Sequence, residues 1–129
     1  MLQVGIKNNK SLTVSEEKTA LSMGSGSLRV FATPAMIALM EATAAESVLP
    51  YLEQGTTSVG TKVNISHLAA DPVGMTVLCE SELIEIDGRR MVFKVVVHDE
   101  QGVVGEGAHE RFVVRTESFM KKTEAKLNV

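Results

Sequence analysis

One stretch constrains this chain more than any other. From Val30 to Leu52 it reads as a single long helix, and no other segment carries a helical period over a comparable length. Thr33 can cap its start by accepting a hydrogen bond from a first-turn amide, and Pro34 suits the first helical position, where no backbone donor is needed. The run is then rich in alanine, methionine and leucine, with no glycine or further proline before Pro50, which should stop it or bend its end. At about 100° per residue, Glu41 falls on one face with Ile37, Ala44, Ala45 and Val48, while Thr43, Glu46 and Ser47 gather on the other. The apolar face is the one expected to be buried, so a carboxylate is expected in its middle. An unpartnered buried carboxylate costs several kcal/mol or takes up a proton, and the position therefore calls for a partner or a function.

Downstream of the helix the period changes to two. Glu53-Gln54-Gly55 is a turn, and Thr56 to Leu68 then alternates, with Val59, Thr61, Val63, Ile65 and His67 on one face and Ser58, Lys62, Asn64 and Ser66 on the other. This predicts a half-buried strand whose inward row ends in a histidine. Asp71-Pro72 breaks it, Val73 to Ile86 forms a second long strand, and Asp87-Gly88 is a hairpin signal. Arg89 to Asp99 is apolar on both faces and therefore central; Glu100-Gln101-Gly102 turns the chain, and Val103 to Arg115 is the last strand before a polar, lysine-bearing tail. Such short connections require antiparallel neighbours. Upstream, residues 1–10 show no periodicity, and Ser11 to Glu17 alternates loosely enough for a short strand. Met23 to Arg29 is a loop or lid of small residues leading into the helix, without the G-x-G-x-x-G pattern or lysine of a phosphate cradle. A sheet with one apolar face and a single apolar helix bury each other when the sheet curls around the helix. That α+β arrangement, an antiparallel sheet wrapped around one long central helix, is the hotdog fold.

The 129 residues, 44% hydrophobic and 22% charged, suit one domain spanning residues 1–129. A net charge of −3 without a basic stripe argues against nucleic acid as a partner. Cys79 is the single cysteine, which precludes an intrachain disulfide, and inside an apolar strand it reads as core packing rather than as a nucleophile. No stretch approaches the roughly 20 apolar residues of a membrane span. Lys7, Asn8, Asn9 and Lys10 interrupt any apolar run at the start, so a cytoplasmic address without membrane association is expected.

Three polar groups are aimed inward on this reading: Thr33, Glu41 and His67. Each has an ordinary alternative, as a helix cap, a carboxylate hydrogen-bonded to a strand amide, or a satisfied structural histidine. Together they point to work on an acyl group. A carboxylate among apolar neighbours can attack or activate water, an imidazole can carry a proton to a leaving group, and a hydroxyl can orient either. Gly60, a glycine inside a strand, permits a backbone amide to approach the developing oxyanion, its alternative being a simple bulge. His67, His98 and His109 form no ligand pair at short spacing, so neither a metal nor another cofactor is called for. His109 and Glu110 read as an exposed charged row, and Arg111 beside them as surface.

The segments Val30-Phe31-Ala32-Thr33, Met40-Glu41, Val59-Gly60-Thr61, Ser66-His67, Gly88-Arg89-Arg90 and Gly105-Glu106-Gly107-Ala108-His109-Glu110-Arg111 resemble, in this order, the fluoroacetyl-CoA thioesterase family of hotdog proteins. The likeness runs from about Val30 to Phe119. It implies hydrolysis of a short acyl-CoA to the free acid and CoA by a homodimer or higher homo-oligomer, with sheets joined edge to edge and sites near the subunit boundary. It also implies that Thr33, Glu41 and His67 stand at the family's catalytic positions, with Gly60 beside the acyl carbonyl and Arg111 near the substrate. Where the fluoroacetate-resistance enzyme carries a bulky phenylalanine-bearing lid, this chain has Gly24-Ser25-Gly26-Ser27-Leu28, which implies an acyl group other than the fluorinated one. The rival from another class is a non-catalytic hotdog dimer that binds an acyl-CoA or acyl carrier, and hydration of an enoyl thioester ranks behind both.

Overall fold

The computed structural model describes residues 1–128. Five antiparallel strands, β1 (Lys7–Thr13), β2 (Thr56–His67), β3 (Thr76–Asp87), β4 (Arg90–Asp99) and β5 (Gly102–Arg115), form one sheet in the order β1-β3-β4-β5-β2. Three helices accompany it: α1 (Ala20–Met23), α2 (Thr33–Val48) and α3 (Thr116–Glu124). The long helix and the four long strands stand where the sequence puts them. Pro50 sits in a short 3-10 turn, Leu49–Tyr51, that ends α2. The N-terminal strand begins earlier than expected, at Lys7, because it pairs along β3 from Lys7↔Glu82 to Thr13↔Thr76 and so needs no apolar alternation of its own. The lysine-bearing tail is helical, as α3.

The apolar side of the sheet curls onto α2. Met36, Leu39, Met40, Ala44 and Val48 meet Val77, Cys79, Leu83, Phe93, Val95 and Val97 in one buried cluster. Cys79 is thus a core residue, as its place in an apolar strand suggests. Two features differ from expectation, and both shape the site. The face of α2 that packs on the core of the sheet carries Thr43 and Ser47, both buried, whereas Glu41 lies on the other side of the helix, half-buried with its side chain 41% exposed. Thr43 and Ser47 tolerate burial because each donates its hydroxyl to a carbonyl of the same helix, Thr43 to Leu39 at 2.7 Å and Ser47 to Ala44 at 2.6 Å. The second difference lies in β2. It is an edge strand, largely exposed, and a bulge between Gly60 and Lys62 resets its register, so that Ser58 is buried where Val59 was expected to be.

Candidate active site

Thr33 opens α2, but its hydroxyl does not cap the helix. The capping position is Ala32, which carries no polar side chain, and Thr33 is the first helical residue. Its Oγ1 lies instead 2.7 Å from Nδ1 of His67 at the far end of β2. Phe31 packs its ring edge against the imidazole, with centroids 6.2 Å apart at 79°. The Nε2 atom of His67 is buried and has no hydrogen-bond partner. Burial pushes the imidazole below its ordinary pKa, partly offset by the Ala69 backbone, so the ring is held in its neutral, proton-accepting form. Thr33 and His67 line an open cavity of about 340 Å³, together with Ser25 of the glycine-serine segment, Leu68 and Ala70.

Glu41 belongs to a second cluster. Its Oε2 lies 3.6 Å from Nη1 of Arg111 on β5, beyond hydrogen-bond length but within ion-pair distance. Gly60, paired with Arg111 across the β2/β5 ladder, is where these groups converge. A Cβ at Gly60 would run into the Glu41 carboxylate, and would stand 3.2 Å from the His109 ring and 3.3 Å from the Arg111 guanidinium. The residue is therefore glycine for space, because its neighbours fill the place a side chain would take.

His109 and Arg111 correct the sequence reading: neither is exposed, with relative exposures of 1% and 7%. They are odd-numbered neighbours on β5 and share its inward face, whereas Glu110 points outward to Arg90 at 2.8 Å, as an outward charged residue should. Arg111 donates from Nε to Ser58 Oγ at 2.8 Å, from Nη2 to the Ser58 carbonyl at 2.9 Å, and from Nη1 to His109 Nε2 at 3.2 Å. His109 Nδ1 lies 2.9 Å from the Lys62 carbonyl. Ser58 and His109 thus belong to the cluster around Arg111, which the sequence reading missed. The alternation along β5 gives His109 the facing of Arg111, but with Arg111 itself reading as surface it finds neither, and nothing in the sequence marks Ser58.

Both clusters lie on the same side of α2, but they do not meet within one chain. Eight residues of helix separate Thr33 from Glu41, a rise of roughly 12 Å. Among the described residues no group of three or more histidine, cysteine, aspartate or glutamate side chains could hold a metal ion, and no helix is long and apolar enough to cross a membrane.

Comparison with known proteins agrees with this architecture. Residues 14–117 match the family described as fluoroacetyl-CoA-specific thioesterase. The fluoroacetyl-CoA thioesterase of Streptantibioticus cattleyicolor is 42% identical over 97 residues, which are 75% of this chain and 70% of that protein. A solved structure of a fluoroacetyl-CoA thioesterase superposes with a TM-score of 0.91 at 35% identity, covering 98% of each chain. A Thermus thermophilus thioesterase superfamily member superposes at 0.88 with 25% identity, over 99% of this chain and 97% of the other. The hot-dog-like protein of Thermanaerovibrio acidaminovorans does so at 0.88 with 26% identity, over 97% and 93%. The chain has the hotdog fold and belongs to the fluoroacetyl-CoA-specific thioesterase family.

Proposed function

We propose that this protein, one domain over residues 1–129, hydrolyses a short acyl-CoA to the free acid and CoA in the cytoplasm, where that class of substrate is found. The observation that carries the reading is the seat of Glu41: a carboxylate on the open face of an apolar helix, with a glycine backbone fitted against it and a buried cation 3.6 Å away. Glu41 is the nucleophile or the base for water, His67 moves the proton to the departing thiolate, Thr33 orients His67, and the Gly60 amide receives the oxyanion. In the covalent route the carboxylate displaces CoA thiolate to leave an acyl anhydride, which water cleaves. In the direct route it takes the proton of the attacking water.

The separation of the two clusters supports a homodimer in which each site is shared. The outer stripe of α2 (Pro34, Ile37, Ala38, Ala42, Ala45) is apolar and not buried, and β2 is a free sheet edge with Val63 39% exposed. Ile37 is midway along the chain between Thr33 and Glu41, and Val63 and Asn64 are midway between Gly60 and His67, so the proposed two-fold axis runs past both midpoints. Antiparallel pairing of two β2 edges about that axis sets Glu41 and Gly60 of one copy beside Thr33 and His67 of the other. The short segment from Gly24 to Leu28, which brings only Ser25 to the cavity, supports a small acyl group that is not the fluorinated one. The test is thiol release over a panel of acyl-CoAs beside a thermal-shift screen. Release with a short unsubstituted acyl group supports the proposal, and binding without release by any member would give the protein to the non-catalytic reading. Mass measurement after mixing with a slow substrate separates the two routes, since only the covalent one adds the acyl mass to Glu41.

A further inference from the structure

We infer that Ser58 and His109 are positioning residues whose task is to hold Arg111 as a fixed cation, set back from Glu41. The inference rests on the assignment of Glu41 above. A guanidinium left free beside a carboxylate closes on it with two parallel hydrogen bonds, engaging the lone pairs that attack requires. Here that closure does not occur: each of the three nitrogens of Arg111 donates elsewhere, which anchors the guanidinium away from the carboxylate although Nη1 and Nη2 each keep a second N–H. Nε and Nη2 both donate to Ser58, through its hydroxyl and its carbonyl, and Nη1 donates to His109. The remaining 3.6 Å to Glu41 keeps the positive charge and leaves the carboxylate oxygen unbonded to it.

The chemistry of the partners fixes the state of His109. The Lys62 carbonyl can only accept, so Nδ1 carries the proton. Arginine can only donate, so Nε2 must offer a lone pair. Both bonds exist together only in the neutral ring with its proton on Nδ1, and an imidazolium would leave Arg111 without its third tie. The ring is faced by Arg111 and the Lys62 backbone, with Glu41 on α2 and Glu110 on β5 nearby. Burial is the largest influence on it and holds it neutral. The β2 bulge makes this possible, since it turns Ser58 inward onto Arg111 and leaves the Lys62 carbonyl for His109.

The test compares kcat and KM of the full-length parent with Glu41→Gln, Ser58→Ala, His109→Leu and His109→Gln, using acetyl-CoA and the best substrate of the acyl-CoA panel. Ser58→Ala should lower kcat about tenfold and His109→Leu ten- to a hundredfold, with KM within about twofold, because a misplacement of about 1 Å at a reacting group is enough for losses of this size. His109→Gln, whose amide oxygen can accept from Arg111, should recover most of the loss. Leucine and glutamine variants equally impaired, or a Ser58→Ala enzyme with parental kcat, would overturn the inference. If His109→Leu does not fold, Ser58→Ala and His109→Gln decide. Near-normal turnover by Glu41→Gln would instead defeat the assignment of Glu41 itself, so the two failures are distinguishable.

Discussion

Thr33 Oγ1 stands 2.7 Å from His67 Nδ1, and the hydroxyl that makes this bond does not cap the helix it begins. A capping threonine replaced by alanine costs about 1 kcal/mol of stability. Thr33→Ala should therefore leave the melting temperature nearly unchanged while lowering kcat on the order of a hundredfold, the scale of a mispositioned proton-transfer group. Thermal denaturation and steady-state kinetics on the same preparation check both halves. A clear loss of stability with normal turnover would return Thr33 to the role of a cap.

The state of His67 gives a pH prediction. Burial lowers its pKa below the ordinary value of 6.5, so the neutral ring persists on the acid side of neutrality. As pH falls through that lowered value, the ring takes up a proton, both its nitrogens become donors, and it can no longer accept a proton from a reacting group. The profile of kcat/KM should fall on its acid side with an apparent pKa below 6.5, and His67→Gln should abolish that limb along with most of the activity.

Gly60→Ala should separate folding from function. The added Cβ meets the end of the Glu41 side chain, together with a histidine ring and a guanidinium, so it displaces the carboxylate without breaking the sheet. We expect a folded protein with kcat reduced by about a hundredfold, since displacement of about 1 Å at a reacting group suffices. Circular dichroism and thiol release measure the two effects separately.

A fourth prediction concerns stability alone. Asp71 is fully buried, with no donor from the rest of the protein on either carboxylate oxygen. Burial, and the Asp99 carboxyl facing it, push its pKa up to about 7, while Asp99 is held below its ordinary value by Asp71 and by the Gln101 and Gly102 amides. The folded pair thus keeps one proton that the unfolded chain releases near pH 4. The stabilisation is fully present below the unfolded value of 3.8 and is lost as pH rises through about 7. The lowered Asp99 acts in the opposite sense only below about pH 4. Melting temperature should therefore fall between pH 5 and 8, and Asp71→Asn, which can donate to Asp99 without titrating, should flatten that slope. An unchanged slope would show that the pair does not share a proton.

The elements of the fold were legible in the sequence because turn residues and a period of two mark β2 to β5 with little ambiguity. The facing of α2 was not. The helix is apolar almost all round, so its wheel cannot say which side meets the sheet, and Thr43 and Ser47 hide their polarity in bonds to their own backbone. Of the proposed site, Thr33, Glu41, His67 and Gly60 stand out in the sequence, since a carboxylate among alanines and methionines and a glycine within a strand are unusual locally. Ser58 and His109 could not, because what gives them a role is a bulge on β2 and an arginine 53 residues away from Ser58 in the chain.

The proposed site is made from two copies of the chain, and mixing two inactive variants tests it directly. Glu41→Gln and His67→Ala should each be inactive alone. A dimer containing one of each retains one complete site if Glu41 comes from one copy and His67 from the other. After subunit exchange, a statistical mixture should then recover about a quarter of the parental activity. Activity no greater than the sum of the separate variants, in a mixture shown by mass to contain heterodimers, would contradict the shared site.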